Sequence, residues 1–332
     1  MKAIVLAACL LGLTDTRSAQ GQSITAEATV TAGYSSEDVT AAAAQFRVFG
    51  EVKDGGIKFF GETAWATRSS DHSDSFGAAY PYAKRVQIIE AYGERMFRPR
   101  GALAGLRGGR FRTPFGISSG SEHAYSGFLR APLIRYERYS SLSNYFLEHG
   151  IDLVTGIPQV TVEVALGAPA DVGVNVRRSG LDVAARIQGF YGPFIVGASH
   201  LRTSSYRSSV GAPGRADLSG VDLRWMSGGV QFRGEWMKGE PFDGMARAGW
   251  YADVLIHRTF MGPVTAVARV ERLDHGGAYD KTDRIERRQT IGARVRLTQA
   301  LSLNVNLLHQ KGAVEYPPTA FDLGLTWSIR NK

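Results

Sequence analysis

Gly109-Arg110-Phe111-Arg112-Thr113-Pro114-Phe115-Gly116 marks the place where the regular pattern of this chain stops. Before it, apolar and polar residues alternate with a period of two. After it comes a long polar and aromatic segment carrying Arg130, Arg135, Tyr136, Arg138 and Tyr139, and alternation resumes only near Gly150. A period of two puts successive side chains on opposite faces of a strand. Pro114 and Gly116 interrupt such a run. The stretch therefore reads as a strand end that opens the longest loop of the chain, 113–149.

On either side of this loop the chain is a row of short alternating segments. The pattern predicts strands over 24–34, 42–53, 57–68, 85–97, 103–112, 150–155, 159–166, 181–191, 194–201, 218–226, 230–238, 249–257, 264–273, 288–297, 301–309 and 320–329. That is about sixteen strands, most near the length a tilted strand needs to cross a bilayer. The gaps alternate. Short ones fall at 54–56, 98–102, 156–158, 192–193, 227–229, 258–263 and 298–300; long ones at 35–41, 69–84, 113–149, 167–180, 202–217, 239–248, 274–287 and 310–319. Short turns on one rim and long loops on the other are the pattern of a membrane β-barrel with short periplasmic turns and long extracellular loops. A soluble sandwich has no reason to sort its loops by length.

Within the strands one parity is apolar and the other carries charge. Ile291, Ala293, Val295 and Leu297 oppose Arg288, Thr290, Arg294 and Arg296, and Val230, Phe232 and Trp236 oppose Gln231, Arg233 and Glu235. This alternation fits a soluble sheet with its apolar face inward as well as a barrel with that face on lipid. Three other features favour the barrel. The apolar parity is rich in Ala and Gly, which would build a poor packed core. Aromatic residues sit near strand ends (Tyr34, Trp65, Phe97, Tyr191, Trp225, Trp236, Trp250, Trp327), as interfacial girdles require. The chain also opens with Met1-Lys2, an apolar run from Ala3 to Leu13 and small or polar residues to Gly21, the outline of a secretory signal. The expected organisation is a signal peptide over 1–21 and one barrel domain over 22–332.

The ends and the composition add limits. No apolar run reaches the length of a membrane-spanning helix. The single cysteine, Cys9, lies inside the signal. Leu6-Ala7-Ala8-Cys9 has the outline of a lipoprotein box, but the apolar stretch before it is very short. Removal of the signal would leave no thiol for a disulfide or for catalysis. The formal net charge of +8 admits nucleic acid, acidic surfaces or anionic solutes as partners, and an exported chain makes nucleic acid the weakest of these.

A barrel of this strand number is too wide for side chains to fill and leaves an aqueous channel. Arg47, Arg186, Arg224, Arg233, Arg269, Arg294 and Arg296 are candidates for its lining, among acidic residues that include Glu62, Glu90, Glu163, Asp222, Asp253 and Glu271. Cross-strand ion pairing accounts for most of them. If the 113–149 loop folds into the bore, Arg110, Arg112, Arg130, Arg135 and Arg138 crowd one constriction, and rings of arginine favour anions. The alternative is an external lid whose arginines meet anionic lipopolysaccharide.

The run Gly109-Arg110-Phe111-Arg112-Thr113-Pro114-Phe115-Gly116-Ile117 resembles the strand-to-loop motif of bacterial general and phosphate-selective porins, including the porin O/P-like proteins. It leaves the fifth strand and enters the third long loop, the same place as in that family. The resemblance covers about nine residues of sequence, beyond the shared barrel pattern. It implies a 16-stranded outer-membrane channel, a homotrimer, whose third loop narrows the pore and through which small hydrophilic solutes and ions diffuse. Lysines are sparse where the phosphate-specific members carry basic ladders. Phe321, Leu323, Leu325 and Trp327 fit a C-terminal assembly signal, although Ser328 to Lys332 extend beyond it.

Motifs for chemistry are weak. His72, His123, His149, His200, His257, His275 and His309 form no metal-ligand spacing, and no G-x-S-x-G elbow occurs. Neither a cofactor nor a metal is expected. A passive channel, anion-biased if the arginines converge, is the leading expectation. The alternatives are a channel specific for phosphate, a carboxylate or a sugar, and a barrel acting as an enzyme or adhesin.

Overall fold

The computed structural model describes residues 22–37, 39–52, 56–68, 83–117, 127–135, 147–169, 177–178, 180–203, 206–207, 215–240, 247–257, 261–275, 284–312 and 317–331. The expected signal over 1–21 lies outside them. In chain order the strands are β1 (Gln22–Ser35), β2 (Val39–Val52), β3 (Ile57–Ala66), β4 (Gln87–Phe97), β5 (Leu103–Arg112), β6 (Leu147–Ile157), β7 (Val160–Pro169), β8 (Arg177–Arg178), β9 (Asp182–Tyr191), β10 (Phe194–Arg202), β11 (Tyr206–Arg207), β12 (Asp217–Ser227), β13 (Val230–Glu240), β14 (Arg247–Ile256), β15 (Val264–His275), β16 (Arg284–Arg296), β17 (Leu301–Lys311) and β18 (Thr319–Arg330). The short strands β8 and β11 pair with each other, and the remaining 16 close into one antiparallel barrel. The seam is β1 against β18, with Val30 opposite Trp327. Closure removes both edges of the large sheet, so each of its 16 strands has two hydrogen-bonded neighbours.

The apolar parity faces outward. Ile151 and Leu153 of β6, Val196 of β10, Val221 of β12 and Ile291 of β16 are each at least half exposed, whereas Asp152, Asp182, Asp253 and Asp322 on the inner parity are fully buried. The outer surface is matched by lipid, and the inside carries the charge. Aromatics flank this band. Phe97, Tyr191, Phe194, Trp225 and Trp327 lie towards the short-turn rim, and Tyr34, Trp65, Trp236 and Trp250 towards the other, with Trp236 directly opposite Trp250.

Some boundaries differ from the sequence pattern. β1 and β2 are joined by 36–38 alone, so the first connection on the long-loop rim is short. β6 begins at Leu147 and β16 at Arg284, earlier than alternation indicates. Near the rim both faces of β16 are charged (Glu286 and Arg288 inward, Arg287 outward), so the apolar marker of parity is lost although the strand continues. Between β3 and β4 the register shifts at Glu62/Thr63, a bulge that turns Ile89 inward onto Ala64 and Ala66.

Candidate pore constriction

β5 ends at Arg112, which still pairs with Leu147 of β6 but no longer with β4. Its backbone N–H donates to Glu90 Oε1 at 3.1 Å, and its guanidinium reaches Glu62 at 3.0 Å and Glu90 at 3.3 Å. These bonds bend the chain into the barrel. Gly116, with φ of 64°, completes the bend, and its N–H donates to Ser199 Oγ of β10 at 3.1 Å. Phe115 then lies against Gly220 of β12, where an added Cβ would stand 3.3 Å from the ring.

Residues 127–135 lie inside the barrel against the opposite wall. The Leu129 N–H donates to Asn306 Oδ1 at 2.8 Å, and Asn306 Nδ2 donates to Gly127 O at 3.0 Å. The Leu133 N–H donates to Glu271 Oε2 at 2.6 Å, and Arg269 Nη1 donates to Arg130 O at 2.9 Å. The Arg269 guanidinium lies over the Phe128 ring at 4.0 Å. Leu133–Arg135 closes as a single 3-10 turn. Two more wall glycines receive loop side chains: a Cβ on Gly249 would collide with Ile134, and one on Gly324 with Leu129. Phe111, Phe115, Leu133 and Ile134 join Leu201, Leu218, Met237, Tyr251 and Leu273 of the wall in one buried cluster. Inward apolar residues are unusual in a wet barrel, and these are covered by the loop.

Arg130 is the strongest single anchor. Its Nε and Nη2 bind both oxygens of Asp322 on β18, at 2.7 and 3.0 Å. Nη2 also reaches Glu37 Oε2 at 2.7 Å and Ser35 Oγ at 2.9 Å. Burial disfavours the charge on Arg130, but the hydrogen bonds and charge of Asp322, and then of Glu37, outweigh it and raise its pKa above the ordinary guanidinium value. The loop between β5 and β6 is thus held within the lumen at both of its described segments.

The predicted constriction residues separate. Arg112 and Arg130 point inward but are ion-paired. Arg110 faces out: it shares the parity of Leu106, stands opposite His149, and places Nη1 3.0 Å from that ring's Nε2. It therefore lies outside the constriction. The Arg135 side chain and Arg138 lie outside the described residues. Of the predicted lining, Arg269 is fixed beneath the loop, and Arg233 shares Asp253 with it at 2.8 Å. Neither opens onto free lumen. Arg47 pairs with Glu62 at 3.0 Å, Arg294 donates to Ser302 Oγ at 3.1 Å, and Arg296 is exposed at the short-turn end of β16.

What remains beside the start of the loop is a cavity of about 260 Å³, bordered by Arg107, Arg112, Glu163, Arg186, Gln188 and Arg224. Sequence pattern alone does not single out Arg107, which sits among glycines. It bonds Asp152 at 3.0 Å and lies 3.4 Å from both Glu163 and Glu94. Arg186 pairs with Asp222 at 2.8 Å. Turned with its amide oxygen towards the wall, Gln188 accepts from Arg186 at 3.0 Å and from Arg224 at 2.7 Å. Among the described residues no carboxylate pairs with Arg224. This arrangement, with cations and carboxylates interleaved, can orient water and ions. Among the described residues no group of histidines and carboxylates is placed to hold a metal.

Solved structures share the fold. An anion-selective porin from Comamonas acidovorans superposes with a TM-score of 0.61 at 11% identity, covering 93% of this chain and 99% of that one. OmpF of Salmonella typhi, in complex with daunomycin, gives 0.60 at 11% identity over 93% and 97% of the two chains. OmpT of Vibrio cholerae, an outer-membrane protein in its trimer form, gives 0.60 at 12% identity over 93% and 99%. No protein-family model and no curated protein sequence matches the chain.

Proposed function

We propose that the protein is a bacterial outer-membrane porin through which small hydrophilic solutes and ions diffuse passively. The observation that carries this reading is the inverted barrel with a loop fastened inside it: apolar outside, charged inside, and narrowed rather than filled. Selection is then by size and by the field at the narrowed section, with no chemical step. The likeness to an anion-selective porin, to OmpF and to a trimeric outer-membrane protein supports the channel reading and a homotrimer. Export through the periplasm by the 1–21 segment, and contact with outer-membrane lipid and lipopolysaccharide, complete it.

The anion bias is expected to be weak. Arg107, Arg112, Arg130 and Arg186 all have carboxylate partners, so their charge is largely cancelled. Among the described arginines of the narrowed section, Arg224 is the one that supports a bias. The same cancellation argues against a phosphate-specific channel, which needs cations free to replace the water around a phosphate. Liposome swelling with uncharged sugars of rising size tests the proposal. Rates that fall steeply with solute size support a diffusion pore, and liposomes that do not swell with any of them refute it.

A further inference from the structure

Among the described residues, the inward aromatic side chains of the barrel fall into two groups. One is covered by the loop. The other is Phe49, Phe60 and Tyr92, at consecutive cross-strand positions of β2, β3 and β4, on wall that the described loop segments do not touch except where Tyr92 meets the cluster. Phe60 and Tyr92 stack with centroids 5.3 Å apart and planes 23° from parallel. Arg107 caps Tyr92 at 4.8 Å, and Arg330 caps Phe49 at 5.1 Å. The aromatic row is therefore closed at both ends by cations, and the rings between face the lumen.

A charged row runs along each side of it. Towards the short-turn rim Glu51, Lys58, Glu94 and Arg107 follow one another across four strands. Towards the loop side stand Glu27, Arg47, Glu62 and Glu90. Phe49, Glu51, Lys58, Phe60, Tyr92 and Glu94 border a cavity of about 450 Å³. That volume is in the range of small-molecule sites, roughly 300–1,000 Å³. Three rings left facing water carry a hydrophobic cost that a polar wall would not.

We propose that this niche is a binding subsite for a sugar ring. A pyranose has a flat C–H face that covers an aromatic ring, and an edge of hydroxyls that each donate and accept. The niche offers rings at its floor, with donors on both sides (Lys58 and Arg107, and Arg47) and acceptors (Glu51, Glu94) towards the short-turn rim. Rows of mixed sign give little net attraction to an anion or a cation but satisfy a polyol. The inference rests on the channel reading and names the solute class that the open side of that channel would retain.

The test is ion current through single channels of the full-length protein in a planar bilayer, with maltose added to the short-turn side. The expected result is a reduction of current that saturates with maltose. Phe60→Leu, which keeps apolar bulk without a flat face, raises the half-blocking concentration about tenfold or more, and Phe60→Tyr restores it. Phe46→Leu, on the lipid-facing parity, blocks as the wild type does. An open channel whose current falls only in proportion to maltose overturns the subsite and leaves the porin. Saturating block by benzoate but not by maltose overturns the sugar assignment. If no channel opens, both readings fall.

Discussion

Replacing Arg130 by methionine should free the loop from the barrel wall. Arg130 is 3% exposed and Asp322 0% exposed, and they meet through two hydrogen bonds of 2.7 and 3.0 Å. Removing the cation leaves Asp322 and Glu37 buried without it, and breaking a buried pair in this way costs about 3–5 kcal/mol. At about 1.4 kcal/mol per decade, the equilibrium between docked and undocked loop moves by two to three and a half decades. Methionine keeps most of the volume, so the loss is electrostatic rather than a cavity. In single-channel recordings the Arg130→Met protein should show larger and noisier conductance, and the loop should become open to protease. Adding Asp322→Asn removes the stranded charge and should recover part of the docking, because the double variant lacks the penalty that each single change incurs. Wild-type conductance together with wild-type protease resistance in Arg130→Met would refute the argument that this pair holds the loop.

Other expectations follow from the same geometry. Gly324→Leu drives a side chain into Leu129 and should raise conductance, at an overpacking cost of about 1–3 kcal/mol, whereas Gly108→Ala meets open space and should leave conductance unchanged. Arg224→Glu reverses a charge that no described carboxylate pairs at the narrowed section and should move the reversal potential towards cations, while the outward-facing Arg110→Gln should not move it. Arg107→Ala removes the cation paired with the fully buried Asp152 beside Glu163 and should lower the thermal unfolding temperature of the barrel in detergent, by an amount that Asp152→Asn partly offsets.

Much of the architecture is legible in the sequence because a barrel writes its environment into parity. Val230, Phe232 and Trp236 face out and Arg233 and Glu235 face in, as alternation requires, and the sorting of loop lengths identifies the two rims. The strand that opens the third loop is where parity misleads. Arg110 and Arg112 are two apart and read as one face, but the pairing with β4 stops at Arg110, and Arg112, still opposite Leu147 of β6, turns inward. Following the parity of Leu106 through Gly108 would have placed Arg110 on the outside and Arg107 within. Phe111, Leu218 and Leu273 break the polar-inside pattern because the loop covers them, which is a tertiary contact that no local period encodes. Cross-strand pairing is legible as a rule, and Asp253 does stand opposite both Arg233 and Arg269, but the bond from Arg269 to the carbonyl of Arg130 needs the loop in place.

An open, loop-narrowed barrel is tested most directly by single-channel conductance of the purified wild-type protein in a planar bilayer under a salt gradient. Stable, stepwise openings with a reversal potential displaced slightly towards anions are expected. Folded, heat-modifiable protein that gives no openings would contradict it.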